Sequence, residues 1–576
     1  MIGARWCRAS TRWLAAVLVP GAFIAGGCGG AAPARTTATT LVLGAQTHFS
    51  QGWPAAHLDL ARAAGAPALR DAVPWSRVER VRGRYVLDGP ALAPLDRFCR
   101  RGGGLLLTTV PLHPFYDGGL ALRSAEAKAA FVRYVLALQA HFGPCLIAIE
   151  VGNEINAPRS RQIYRRGETG GDEQSDPLRD YVELVRATRD ALRARGASTR
   201  VLGGSSNTIA TGFLESLFAR GLLDAADGLA VHPYRPQADN LDTELSHLQD
   251  VMKRHGRPLP IWASEFGGAY RARESAAPQL VKTATLLAAA RVEAAYWYAL
   301  VEQGWLHDSG LYTTKGMQKP ALGAFRLLQR VLLPRGAPER VELADANVRL
   351  YRFGRDGWVA WGASGRLDFG AGARLFDAQG KPIARNTAIL TDEPVIALAP
   401  RVPTLAPGPV VADSLLGYGG ADWRYLARLP DGSQRELHWI DGRWTSRRGD
   451  PALAPLWVAD GAGAPAGRAA DGRSVIVRYQ APRAASVAVA LCLETRAGGD
   501  GVAIALRQGA RELASTIVTG PGRITLRAVP LAAGDHLDLI AGPDAGPGSN
   551  GFRYRIRIAA EPHVPSMRCP ARAAQS

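Results

Sequence analysis

Two glutamates stand where a protein can put a carboxyl group to use. Glu154 closes the run Ile147-Ala148-Ile149-Glu150-Val151-Gly152-Asn153, and Glu265 closes Leu259-Pro260-Ile261-Trp262-Ala263-Ser264. Each run is short, largely apolar and enriched in β-branched or aromatic residues, as in a strand buried on both faces of a parallel sheet. Such sheets carry their chemistry at the C-terminal ends of the strands. Two carboxyl groups facing one another are the machinery of glycoside hydrolysis: one protonates the leaving oxygen, and the other attacks the anomeric carbon or activates water. Further polar or aromatic residues end or follow other strand-like runs: His48, Arg70, His113, His232, Tyr234 and Trp297, with Asn153 beside Glu154. Glu150, inside its run, reads as an interior residue supporting the site rather than as a third catalytic acid.

These side chains converge only if the runs form one closed parallel sheet. Strand patterns at 41–48, 66–73, 104–110, 147–152, 200–204, 228–232, 259–265 and 294–299 alternate with helical patterns at 57–64, 125–142, 181–195, 213–220, 241–255, 279–293 and 321–332. Eight strands, seven of them followed by a helical pattern, predict an α/β fold, a (β/α)8 TIM barrel over residues 41–335, with Glu154 on strand four and Glu265 on strand seven. An open doubly wound sheet is the alternative, but no glycine-rich phosphate loop follows the first strand. Beyond the barrel, short alternating segments with closely spaced turns predict a small antiparallel β domain at 336–400, a proline-rich linker at 401–409, a C-terminal β-sandwich or jelly-roll domain at 410–562 and a tail at 563–576. Trp423, Tyr425, Trp439, Trp444 and Trp457 of the sandwich read mainly as core. Asp535, Asp538 and Asp544 are too scattered to predict a metal.

Gly152-Asn153-Glu154 and Trp262-Ala263-Ser264-Glu265-Phe266-Gly267 resemble the signature of the clan A retaining glycoside hydrolases. Arg70-Asp71-Ala72-Val73-Pro74-Trp75, His232-Pro233-Tyr234 and Tyr296-Trp297-Tyr298 agree with it, and Gly44-Ala45-Gln46-Thr47-His48-Phe49 is similar to family 39, including members associated with bacterial exopolysaccharides. The resemblance spans about residues 41–400. It implies that Glu154 is the general acid/base and Glu265 the nucleophile, the two carboxyl groups standing roughly 5 to 5.5 Å apart. It further implies that Asn153 hydrogen-bonds the sugar 2-hydroxyl, that Arg70 and Tyr234 contact Glu265, and that Trp297 floors the sugar ring. Negative charge near Glu154 is expected to raise its proton affinity. A retaining β-glycoside hydrolase acting on an extracellular or cell-envelope polysaccharide follows. The competing readings are an inactive carbohydrate-binding or polysaccharide-assembly protein and a transglycosylase. Neither a cofactor nor a metal is expected.

The formal charge of +18 comes from arginines scattered along 576 residues without a dense basic run, which argues against a nucleic-acid partner. Residues 1–28 read as an export signal whose end, Ala25-Gly26-Gly27-Cys28, resembles a lipobox. Cys28 would carry the lipid of a membrane-anchored lipoprotein on the periplasmic or outer-membrane face, followed by a linker at 29–40. Cleavage after Ala34 would instead release a soluble protein. In an exported chain, Cys99 with Cys145 and Cys492 with Cys569 are the expected disulfides. The oligomeric state is not legible.

Overall fold

A computed structural model describes residues 40–158, 160–164, 176–270, 272–465, 472–495, 501–543, 551–567 and 569. The expected signal, Cys28, the linker up to residue 39, and Asp544 lie outside the described residues. Among the described residues, no helix is long and apolar enough to cross a membrane.

Eight parallel strands close into a barrel in sequence order: β1 (Val42–Gln46), β2 (Ala68–Ala72), β3 (Gly104–Thr109), β4 (Leu146–Val151), β5 (Arg200–Asn207), β6 (Gly228–His232), β7 (Ile261–Phe266) and β8 (Ala294–Trp297). Side chains alternate along each strand, so every second residue enters the barrel. The lower interior is an apolar layer that includes Ala68, Leu106, Ala148, Leu202, Ala230, Trp262, Ala294 and Tyr296. β1 can supply only a glycine here, because a Cβ on Gly44 would lie 2.6 Å from the Tyr296 ring. Amphipathic helices cover the outside, including His57–Ala64, Ala125–Phe142, Pro177–Ala194 and Leu241–His255. The periodicity missed the helix Ala93–Cys99 between β2 and β3, and it ended strand five at residue 204, whereas β5 continues to Asn207.

Residues 339–406 form a six-stranded and a three-stranded antiparallel sheet. The strand Thr404–Ala406 lies within the stretch read as a linker; it pairs with Arg366–Asp368, Leu405 opposite Leu367. Beyond it, an eight-stranded and a six-stranded antiparallel sheet enclose a separate apolar core that holds Trp423 and Tyr425. Both expected disulfides are present, Cys99 to Cys145 and Cys492 to Cys569, the second fixing the chain beyond residue 562.

A buried ionic cluster joins the parts. Arg555 and Arg557, on the sandwich strand Phe552–Ala560, both bond Asp413 and Asp392. Nearby, Lys282 of the barrel helix Ala276–Ala289 pairs with Asp239 at 2.6 Å, and Trp361 donates to the same carboxylate.

Candidate active site

Two residues beyond the apolar layer, the same inward parity turns polar: Gln46, Arg70, Thr108, Glu150, His232 and Ser264 are all buried. Arg70, on β2, is the hub of this belt. Its Nε donates to Glu150 Oε2 at 2.9 Å, Nη1 donates to Gln46 Oε1 at 2.7 Å and to Glu265 Oε1, and Nη2 donates to Asn153 Oδ1 at 3.0 Å. With Nη2 also 2.9 Å from Glu150 Oε2, the whole guanidinium fork is engaged. Thr108 and Ser264 hydroxyls each donate to Glu150 at 2.9 Å.

Glu265 follows Ser264 and breaks the alternation. A register shift between Ala263 and Phe266 in the β7–β8 pairing brings it to the mouth, where Tyr234 donates to its Oε2 at 2.5 Å. Glu154 leaves the end of β4 through Gly152 at φ +90° and itself holds φ +48°. That left-handed conformation is costly for a glutamate and is kept only where surroundings impose it. Its side chain is 31% exposed, against 10% for Glu265. His232, fully buried, lies between the acids: Nδ1 is 3.1 Å from Glu154 Oε1 and 3.6 Å from Glu265 Oε2, and Nε2 is 3.4 Å from Glu150 Oε1. An atom of Glu154, one of His232 and one of Glu265 all lie within 4.8 Å of one another.

This packing sets the charge states. Burial alone would push the Glu150 carboxyl up, but Arg70 and His232 bring it down to about 2. Burial opposes a charge on His232, yet the three carboxylates around it raise the imidazole to about 10. Glu154 is moved down: burial pushes it up, and hydrogen bonds from His232 and Asn207, with the charges of His232 and Arg70, outweigh that. The expectation that negative charge raises its proton affinity is therefore corrected, because a cationic ring stands between the two acids. Burial lowers His48 to about 4, leaving a neutral ring whose Nε2 is 2.9 Å from the Tyr298 hydroxyl.

A cavity of about 480 Å³ opens over these groups, lined among others by His48, Asn153, Glu154, Tyr234, Glu265 and Tyr298, a size suited to a small organic ligand. Trp305 and Leu306 form part of its wall, Trp305 being 51% exposed with its ring 5.0 Å from that of Tyr298. No protein-family profile and no curated protein matches the chain. Among solved structures, a family 39 glycoside hydrolase from the gut symbiont Bacteroides cellulosilyticus is 18% identical with a TM-score of 0.51, covering 63% of this chain and 81% of that one. The likeness is one of fold. A family 30 endoxylanase from Clostridium papyrosolvens (13% identical, TM-score 0.46, covering 63% of this chain and 98% of that one) and a family 39 β-xylosidase from Caulobacter crescentus (15%, 0.42, 64% and 98%) also match.

The structure brings His48, Arg70, Asn153, Glu154, His232, Tyr234 and Glu265 together, and leaves two expected residues outside. Trp297 is fully buried beneath the mouth against Phe266 and Tyr270, its Nε1 donating to Ser309 O at 2.7 Å. Its neighbour Tyr298 faces the cavity instead. His113 is 2% exposed in an aromatic cluster with Trp75, Phe115 and Tyr116, its Nε2 3.1 Å from Glu79 O. Gln46, Asn207, Tyr298 and Trp305 were not anticipated. Gln46 and Asn207 end β1 and β5, so the strand-end rule could have found them. Trp305 sits in a loop after β8 that gives no pattern. Glu154, His232 and Glu265 are spaced so that a small cation could bridge them. However, Arg70 already occupies Glu265, and His232 is itself cationic, so the charge they would offer a metal is largely balanced by protein.

Proposed function

We propose that the protein is a retaining β-glycoside hydrolase of the family 39 kind, acting on an extracellular or cell-envelope polysaccharide by double displacement. The observation that carries this reading is the approach of the Glu154 and Glu265 carboxylates to within 4.8 Å at their nearest atoms. It suits the roughly 5 to 5.5 Å between carboxyl groups of retaining enzymes and is too close for the roughly 6.5 to 9.5 Å that leaves room for an inverting water. Glu265, fixed by Arg70 and Tyr234, attacks the anomeric carbon. Glu154, the more exposed acid, gives its proton to the leaving oxygen.

His232 couples the two steps. In the free enzyme Glu154 and the imidazole form a proton-sharing pair surrounded by carboxylates. Once Glu265 is esterified its negative charge is gone, the pair holds its protons less tightly, and Glu154 is poised as the base that activates water. Tyr298 and Trp305 present aromatic surface to the sugar, the place expected of Trp297. Residues 1–28 fit a lipoprotein signal with Cys28 as the acylated residue, which would hold the enzyme at a membrane facing an exported polysaccharide.

The test is Glu265→Gln on a panel of β-linked polysaccharides, with the anomer of the first product followed by NMR. Turnover should vanish in the variant while its thermal unfolding stays within a few degrees, and the wild-type product should keep the β configuration. Undiminished hydrolysis by Glu265→Gln, or an inverted product, overturns the mechanism.

A further inference from the structure

The C-terminal sandwich does not merely hang on the barrel. Between its strands His438–Ile440 and Arg447–Gly449, the turn at residues 441–446 reaches the barrel mouth beside the segment that carries Glu154. Arg443 Nε donates to Asn156 O at 2.6 Å, and Nη2 donates to Ala157 O at 3.1 Å. In return the fully buried Asn156 donates from Nδ2 to Arg443 O at 3.0 Å and to Asn207 O at 3.1 Å, while its Oδ1 accepts from Asn207 N at 2.9 Å. Asn207 also hydrogen-bonds Glu154 through its side chain. The next residue of the turn, Trp444, accepts a hydrogen bond at its carbonyl from the Thr208 hydroxyl, and Thr208 N donates to His232 O at 2.9 Å. One turn of a distant domain is thus fastened to the backbone beside both Glu154 and His232.

The backbone it grips needs gripping. Glu154, Ser205 and Thr208 are non-glycine residues at φ +48°, +38° and +60°, clustered where the turn docks. Each such conformation is costly and persists only when neighbours over-determine it. The turn itself is well braced. Asp441 accepts from Trp439 Nε1 at 3.0 Å and from the Ser446 hydroxyl at 2.7 Å, and lies 2.8 Å from His247 Nε2 on the barrel helix Leu241–His255. On the barrel side a Cβ at Gly212 would come within 2.6 Å of Asp441 O, so the two backbones are in direct contact.

We propose that Arg443 is a positioning residue for proton transfer: the sandwich, through this turn, holds the 152–157 segment in the conformation that points Glu154 at the leaving oxygen. This rests on the reading of Glu154 as the acid/base. The arrangement would make proton donation depend on a residue about three hundred positions away, outside the barrel.

The experiment uses the full-length protein and Arg443→Ala, with Arg443→Lys as the variant that keeps a single cationic donor group. Hydrogen exchange by mass spectrometry should show amides in peptides covering 152–158 and 205–209 exchanging about tenfold faster in Arg443→Ala, as expected for the loss of one to two hydrogen bonds. Peptides from β1 to β3 should stay unchanged, and Arg443→Lys should fall between. Kinetics then separate positioning from general damage. With 4-nitrophenyl and 2,4-dinitrophenyl β-glycosides of the sugar that the wild type cleaves, kcat/KM should fall about tenfold on the first, whose leaving group profits from a proton. It should fall less than twofold on the second, which needs none. Unchanged exchange at 152–158, or an equal loss on both glycosides, overturns the proposal. A wild type that cleaves neither glycoside nor polysaccharide would sink the glycosidase reading instead, and the exchange result alone would then decide whether the clamp exists.

Discussion

Replacing Arg70 by methionine tests whether the belt of charges is the physical basis of the site. Arg70 is 2% exposed and bonds two carboxylates, Glu150, fully buried, and Glu265, whose side chain is 10% exposed. The fall of the Glu150 carboxyl from 4.5 to about 2 corresponds to about 3 kcal/mol of stability at neutral pH, at about 1.4 kcal/mol per pH unit. Removing the guanidinium also leaves buried charge unpaired, for which about 3–5 kcal/mol is the usual cost. His232 and Ser264 share in the first figure, so the second, about 3–5 kcal/mol at pH 7, sets the expected loss. Its pH dependence identifies it. A carboxyl with a depressed folded value contributes stability that is fully present above its unfolded value of 4.5 and is lost as the pH falls toward 2. In Arg70→Met, only His232 and the Thr108 and Ser264 hydroxyls still oppose the burial of Glu150, which takes up a proton more readily. Urea unfolding of both proteins at pH 7, 5.5 and 4 should therefore show a gap that is widest at pH 7 and narrows toward pH 4. A gap of the same size at all three pH values would mean that Arg70 acts by packing, and the electrostatic account of the site would fail.

Three further outcomes follow from the same geometry. In His232→Asn the proton that Glu154 shares with the imidazole, held in the wild type by a ring raised to about 10, is left to Glu154 alone. The alkaline limb of the kcat/KM profile should then move down, and a limb that stays put or moves upward would remove His232 from the proton-sharing pair. Trp305→Ala takes away the exposed aromatic wall of the cavity and should raise KM about 2- to 10-fold, for a ring contact of about 0.5–1.5 kcal/mol, with little change in kcat; a kcat loss with KM unchanged would contradict a binding role. Asp413→Ala strips the fully buried partner of Arg555 and Arg557, which should cost about 3–5 kcal/mol in urea unfolding, and a loss under about 1 kcal/mol would show that Asp392 suffices for both arginines.

What the sequence made legible, and what it hid, divides along one physical line. Period-two and period-3.6 patterns report which face of an element is buried, so eight strands and most helices could be read, and with them the strand numbers of Glu154 and Glu265. Counting two residues on from Ala148 and Ala230 also reaches Glu150 and His232, because the interior alternates by geometry alone. Trp297 breaks down at that same point. Tyr296 is the inward residue of β8, so by parity Trp297 faces outward into the helix layer, and the ring at the mouth is Tyr298. His113 failed for a different reason. It lies four residues beyond the end of β3, where alternation no longer applies and local aromatic packing decides.

Contacts between segments far apart in the chain left no trace in any local pattern. The grip of Arg443 on Asn156 joins residues 287 positions apart, and the bond of His232 to Glu154 joins residues 78 apart. The second reversed the expected direction of a proton affinity. Each strand-end residue could be placed at the mouth by its own strand, but the charge it meets there is supplied by other strands. A reading that counts only acids near Glu154 sees repulsion and a raised proton affinity. With a buried imidazole inserted between the acids, each carboxylate sees a cation before it sees another anion, and the same residues then favour a proton that moves within the cluster over one fixed on Glu154.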